Sequence, residues 1–335
     1  MTLALLLEWA IKSILIILIV LTGFAYLTLF ERRVLARMQM RIGPNRAGPW
    51  GLLQPVADGI KLIFKEELIP AKADRILFIL APVITVVPAL IILAVVPFGP
   101  NLTLFGVEYS LGLASNINVG VLYILAVASI AVYGIVIAGW ASANKYALMG
   151  GIRSSAQMVS YELALGLSII GPILLANSMS IDAIVVAQRD LWYIVLQPIG
   201  FVVFLIAVIA EVNRAPFDMP EAEQELTAGY HAEYSGMKFA LFFMAEYGKM
   251  IAVSFIAVTL YLGGYQGPFL EAAPWLGPIY LFVKVLFLLF FMVWLRATLP
   301  RFRYDRLMAF GWKILLPLAL VNVMVTAVLI VVLGG

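Results

Sequence analysis

Eight apolar stretches constrain this chain more than any other feature, at roughly 8–30, 76–97, 117–140, 156–176, 192–211, 237–262, 276–296 and 311–333. Each is long enough for the ~20 helical residues that cross a hydrocarbon core of ~30 Å. Inside lipid a helix satisfies its own backbone polar groups, whereas an open strand does not. The chain therefore reads as all-α, a polytopic membrane protein of about eight transmembrane helices. Composition agrees: 64% of the residues are hydrophobic and 12% charged, and the mean hydropathy is +1.04. A soluble core of this length needs far more charge to cover its surface. Pro82, Pro88, Pro172, Pro198 and Pro317 fall inside the stretches, which is tolerable because neighbouring helices re-satisfy freed backbone groups. Residues 1–30 carry Lys12 as their one basic group and no small-residue cleavage site, which predicts a retained first helix rather than a signal peptide.

The basic residues set an orientation. Of 22 Lys and Arg, nine lie between the first two spans, two between spans 3 and 4, two (Arg214 and Lys238) between spans 5 and 6 or at the very start of span 6, and five from Arg296 to Lys313. The opposite connections hold Arg189 alone, while Lys12, Lys249 and Lys284 fall within spans. The positive-inside rule then puts the Arg-rich loops in the cytoplasm and both termini outside. This organisation predicts a single integral membrane domain over 1–335, with cytoplasmic loops at 31–75, 141–155, 212–236 and 297–310. Corresponding span pairs share no Gly/Pro interruptions, which argues against an inverted-repeat transporter.

The first cytoplasmic loop, ERRVLARMQMRIGPNRAGP, combines arginines with turn-forming Gly-Pro pairs. The arginines suit anionic lipid headgroups or a partner subunit, and the sequence does not separate the two. In the following WGLLQPVADGIKLIFKEE, Leu53, Val56, Ala57, Ile60, Ile63 and Phe64 recur at helical spacing opposite Gln54, Asp58, Lys61 and Lys65. Too short and too charged to span, this segment is expected to be an interfacial amphipathic helix. Its polar face is either simply solvated or places Asp58 and Lys61 at the mouth of a cavity entered by an amphiphile.

Seven of the 19 acidic residues crowd into positions 211–246: Glu211, Asp218, Glu221, Glu223, Glu225, Glu233 and Glu246. Counting along each span at ~1.5 Å per residue puts Glu211 at the cytoplasmic boundary, Glu162 roughly 9 Å deep and Glu246 roughly 14 Å deep, with Lys249 and Lys284 beyond. Carboxylates beside hydrocarbon are costly and usually mark a path for ions or protons. Three readings stand: Glu246 and Lys249 neutralising each other one turn apart, an ion-coupled transport site, and a proton relay. Many acids with few cations suit the relay best. The chain has no Cys and a single His, His231. That excludes Cys-ligated iron–sulfur clusters, thiol nucleophiles and a bis-His haem, so any electron transfer belongs to partners. No metal-ligand pattern and no nucleic-acid-binding pattern is found.

The segments ERRVLARMQMRIGPNRAGPWGLLQPVADGIKL, GWASANKYALMGGIRSSAQMVSYEL and EVNRAPFDMPEAEQELTAGYHAEYSGMKFALFFMAEY closely resemble the family of the H subunit of bacterial NADH-quinone oxidoreductase. This is the counterpart of subunit 1 of mitochondrial NADH dehydrogenase (respiratory complex I). The resemblance runs from about residue 20 to 310. It implies a membrane-arm subunit that forms part of a quinone chamber and couples quinone reduction to proton translocation. Quinone is then the substrate, no cofactor is bound by this chain, and the iron–sulfur clusters and FMN reside in partners. The implied partners are the peripheral-arm iron–sulfur and quinone-site subunits, small membrane subunits, antiporter-like subunits and membrane lipids, and the implied location is the bacterial inner membrane. By the same resemblance Arg32, Asp58, Lys61 and Phe243 lie at the quinone passage. Glu162, Glu211, Glu223, Glu225, Glu233 and Glu246 form the proton path, and Asn213, Arg214, Asp218 and Glu221 belong to a coupling loop. Glu246 in AEY favours a respiratory enzyme over photosynthetic relatives, and Lys249 lies outside the signature. The alternatives are a stand-alone cation/proton antiporter and the membrane anchor of an energy-converting hydrogenase.

Overall fold

The computed structural model describes residues 3–104, 107–218 and 229–333. Among these, seven helices are long and apolar enough to cross a membrane, joined by a shorter apolar helix, Pro198–Glu211. In chain order the helices are α1 Leu3–Met38, α2 Gln54–Ile63, α3 Arg75–Ile91, α4 Gly120–Ala141, α5 Lys145–Ala176, α6 Ile181–Ala187, α7 Tyr193–Leu196, α8 Pro198–Glu211, α9 Gly236–Tyr261, α10 Leu276–Thr298, α11 Tyr304–Phe310 and α12 Leu316–Leu333. A two-stranded antiparallel ribbon, Leu102–Leu104 with Val107–Tyr109, decorates the α3–α4 connection. The all-helical reading therefore holds for the bundle.

α9 is the central helix. Most of its membrane-length window is buried, and it packs against α1, α3, α8 and α10. α3 and α4 approach closely at Gly134, where an added Cβ would lie 2.9 Å from the Thr85 backbone nitrogen. Small residues at such crossings let helix backbones meet without a hydrophobic driving force.

Three boundaries differ from the sequence pattern for identifiable reasons. α1 continues past residue 30 to Met38, a length of ~54 Å that exceeds the hydrocarbon core, so ERRVLARM extends the first span as helix. α5 starts at Lys145, where the Asn144 side chain caps it by accepting from the Tyr146 backbone N–H at 2.9 Å. The stretch read as one span at 192–211 breaks into α7 and α8 at Gln197, which leaves the helical region with φ −128° just before Pro198. Proline at a helix start disfavours helical geometry in its predecessor. The break is satisfied by α12: Gln197 Nε2 donates to Thr326 Oγ1 at 2.6 Å and Asn322 Nδ2 donates to Gln197 Oε1 at 2.8 Å. Gln197 is buried, and non-helical backbone next to apolar spans is tolerated where protein surrounds it.

α2 is amphipathic as expected. Leu53, Val56, Ile60, Ile63 and Phe64 are each more than half exposed, so its apolar face is left for the bilayer surface.

Candidate functional site

The last turns of α1 carry Glu31, Arg32 and Arg33, which point in three directions. Arg32 turns toward α2, where Gln54, Asp58 and Lys61 occupy one helical face. Asp58 accepts from Arg32 Nη1 on Oδ2 at 2.7 Å and from Gln54 Nε2 on Oδ1 at 3.2 Å, and Lys61 Nζ lies 3.6 Å from the same Oδ1. Arg32, Asp58 and Lys61 line a cleft of about 420 Å³ between α1, α2 and α9, with Phe24, Phe243 and Met244 among its apolar walls. Apolar walls with a few convergent polar groups are the usual make-up of a site for an apolar ligand with a polar head. Arg32, Asp58, Lys61 and Phe243 are thus brought together.

Phe243 also lines a second, smaller cavity of about 30 Å³, whose wall includes Asn213, Tyr230, His231, Glu246 and Lys249. That volume admits about two waters. Beyond it lies a further cavity of about 30 Å³ lined by Glu211 and Lys249 among apolar side chains of α3, α4, α5, α8 and α9. Among the described residues Lys249 is the one shared by these two cavities, as Phe243 is between the cleft and the first of them. The Lys249 side chain stands in the electrostatic field of Glu211, Glu246 and Glu162, and makes no hydrogen bond or ion pair within 4 Å among the described residues. Glu162 accepts a short hydrogen bond from Ser129 Oγ. Glu211, Glu246 and Glu162 are thus the acids that act electrostatically on Lys249.

Glu246 has a different direct partner. Arg214 Nη1 lies 3.1 Å from its carboxylate, so Lys249 is not its sole counter-charge. Arg214 is buried, and its Nη2 donates to Glu31 at 2.5 Å; Arg296 donates to the other Glu31 oxygen. The Arg214 guanidinium also covers the Tyr247 ring at 4.3 Å. Burial works against its charge, but the Glu246 and Glu31 carboxylates outweigh burial and hold its pKa above the ordinary arginine value.

The loop after α8 is held from below. Gln157 Nε2 donates to the carbonyls of Ala210 at 2.8 Å and Phe217 at 2.7 Å. Phe217 packs between Tyr161 and Phe302, and the Ala215–Pro216 peptide is cis. Asn213 adopts a left-handed φ of 55°, and its Oδ1 is buried without a hydrogen-bond partner among the described residues. Asp218 is half-buried at the end of this stretch. Glu233 accepts from Asn144 Nδ2 at 2.7 Å, which ties the loop to the start of α5. Glu221, Glu223 and Glu225 lie outside the described residues.

Known proteins share this sequence over nearly its whole length. The family model described as NADH dehydrogenase matches residues 11–327. The chain belongs to the NADH dehydrogenase family. Its relatives include the NADH-quinone oxidoreductase H subunit of Thermomicrobium roseum, 55% identical over 322 residues with 93% of each chain covered. An H subunit of the NADH-quinone oxidoreductase of Geobacter metallireducens is 54% identical over 315 residues, covering 94% of each. NADH-quinone oxidoreductase subunit 8 of Thermus thermophilus is 51% identical over 322 residues, covering 96% of this chain and 86% of that one.

For a member of this family, four groups at the site escaped the sequence reading: Glu31, Arg296, Tyr230 and His231. Glu31 reads as an interfacial acid beside two arginines, and nothing local marks it as 2% exposed. One cue was available for Arg296, which sits at the end of an apolar span where a charge needs a partner. Lys284, counted among the deep ammonium groups, has a structural task instead. It donates to the carbonyls of Leu262, Gly264 and Gln266 at 2.7, 2.9 and 2.7 Å, closing the loop after α9.

Proposed function

We propose that this chain is the membrane-arm H subunit of a bacterial, proton-translocating NADH:quinone oxidoreductase. In this reading the cleft at Arg32, Asp58, Lys61 and Phe243 takes the quinone, with the paired Arg32 and Asp58 near the head and the apolar walls around the tail. FMN and iron–sulfur clusters in peripheral-arm partners supply the electrons, as a chain without Cys requires. Small membrane subunits and antiporter-like subunits complete the assembly in the inner membrane, with the arginine-rich loops cytoplasmic and the termini periplasmic.

The observation that carries the proposal is the shared walls: Phe243 between the cleft and the Glu246 cavity, and Lys249 between that cavity and Glu211. Reduction of quinone to quinol consumes protons along with electrons, so the charge balance near the cleft changes at each turnover. Arg214 links that region to Glu246, Glu31 and Arg296. A change in which acid Arg214 favours alters the charge facing Lys249, and hence the proton affinity of Glu211 and Glu162 behind it. The Asn213–Glu225 segment, with Asp218, Glu221, Glu223 and Glu225, is the coupling loop, and Glu233 continues the acidic path toward α5.

Isolation of the tagged chain from mild detergent tests the assignment. It should carry FMN and iron–sulfur subunits and show inhibitor-sensitive NADH:quinone reductase activity. A chain that isolates alone and exchanges cations for protons in liposomes would replace this reading with an antiporter.

A further inference from the structure

Consecutive arginines at the end of α1 face two different clefts. Arg32 enters the one described above, where Asp58 already holds it at 2.7 Å. Arg33 turns to the opposite side and ends a second slot of about 370 Å³, formed by Gly23, Tyr26 and Phe30 of α1 with Phe255 of α9 and Leu286 of α10. Arg33 is half-buried and is the one charged residue among the described residues that line the slot. No hydrogen bond or ion pair reaches it from any described residue. A guanidinium held against apolar walls without an anion is an unfavourable arrangement. A ligand that brings its own negative charge relieves it.

The shape narrows the choice. From Ile19 to Arg33 the slot follows α1 for ~21 Å at ~1.5 Å per residue. A long apolar groove that ends on one guanidinium matches an extended acyl chain below an anionic headgroup. Tyr26 and Leu286 are substantially exposed, so the slot opens sideways to the outside of this chain.

We propose that this slot binds an anionic phospholipid, with its phosphate on Arg33, one acyl chain along the stripe from Phe30 to Ile19, and the second chain left in the bilayer. The site is independent of the quinone reading. Its logic is the contrast between Arg32, which has its carboxylate, and Arg33, which lacks one.

Photolabelling the assembled complex tests this. Phosphatidylcholine nanodiscs are doped with a trace of diazirine-acyl phosphatidylglycerol or, in parallel, diazirine-acyl phosphatidylcholine, and the labelled peptides are mapped by mass spectrometry. The Gly23–Phe30 segment should take phosphatidylglycerol about five-fold over phosphatidylcholine, the factor one arginine near an anionic group supplies. Arg33→Gln should bring the ratio to about one, and Arg33→Lys should keep most of the preference. Equal labelling by the two lipids in the wild-type complex overturns the proposal without any variant. So does a preference that survives Arg33→Gln, or a slot cross-linked to a partner subunit instead of lipid.

Discussion

Arg214 reaches Glu31 across 183 positions of sequence, Nη2 to Oε2 at 2.5 Å, with both side chains almost wholly withdrawn from water. Glu31 takes Arg296 on its other oxygen, and Arg214 takes Glu246 on its other nitrogen. The end of α1, the loop after α8, and helices α9 and α10 therefore meet in one ionic knot. Removing one member of a buried pair is more damaging than the pair is stabilising, because the remaining charge is stranded.

Glu31→Gln should accordingly lower the stability of the subunit by about 3–5 kcal/mol, the usual cost of an orphaned buried charge. Thermal unfolding of the purified complex, with subunit content in membranes as a second readout, measures it. Arg214→Met added to Glu31→Gln should recover part of the loss. Glu31→Gln as stable as wild type would show that the knot carries no structural weight.

Much of this architecture was legible from hydropathy alone. The apolar spans and α2 follow from periodicity because lipid enforces both. The knot was not legible, because Glu31 and Arg296 are 265 positions apart and each reads locally as an interfacial charge. The break at Gln197 was hidden by the apolar residues on both sides, and its partners Asn322 and Thr326 come from the far end of the chain. The depth expected for Glu162 counts from residue 156, whereas its helix starts at Lys145, and the convergence of Glu162, Glu211 and Glu246 on Lys249 depends on how α5, α8 and α9 pack sideways.

Lys249 offers a test of that convergence. Lys249→Met removes the cation facing Glu162, Glu211 and Glu246, and should reduce coupled quinone reduction at least about tenfold, equivalent to ~1.4 kcal/mol of barrier. Lys249→Arg keeps the charge and should retain most of the activity. Equal loss in both variants would point to packing rather than charge.

The wall between cleft and cavity gives a third expectation. Phe243→Ala should weaken a quinone-site inhibitor by about 5–10-fold, consistent with the ~1–1.5 kcal/mol expected for losing part of an aromatic wall. An inhibitor titration on membranes reads it directly, and an unchanged curve counts against Phe243 as lining.

Asp58→Asn leaves Arg32 and Lys61 without their shared carboxylate. The inhibitor curve should again shift to weaker binding, with subunit content unchanged because Arg32 and Lys61 are largely exposed. If affinity is unaltered, the quinone head does not depend on this pair.

Glu211 permits the most direct test of the proposed path. Its carboxylate is buried and makes no ion pair within 4 Å among the described residues, so Glu211→Gln disturbs the packing little while removing one proton-carrying site. The measurement is protons translocated per NADH oxidised in inverted membrane vesicles. Glu211→Gln should lose proton translocation at least about tenfold while the complex remains assembled. Wild-type translocation and turnover in that variant would contradict a path through Glu246, Lys249 and Glu211.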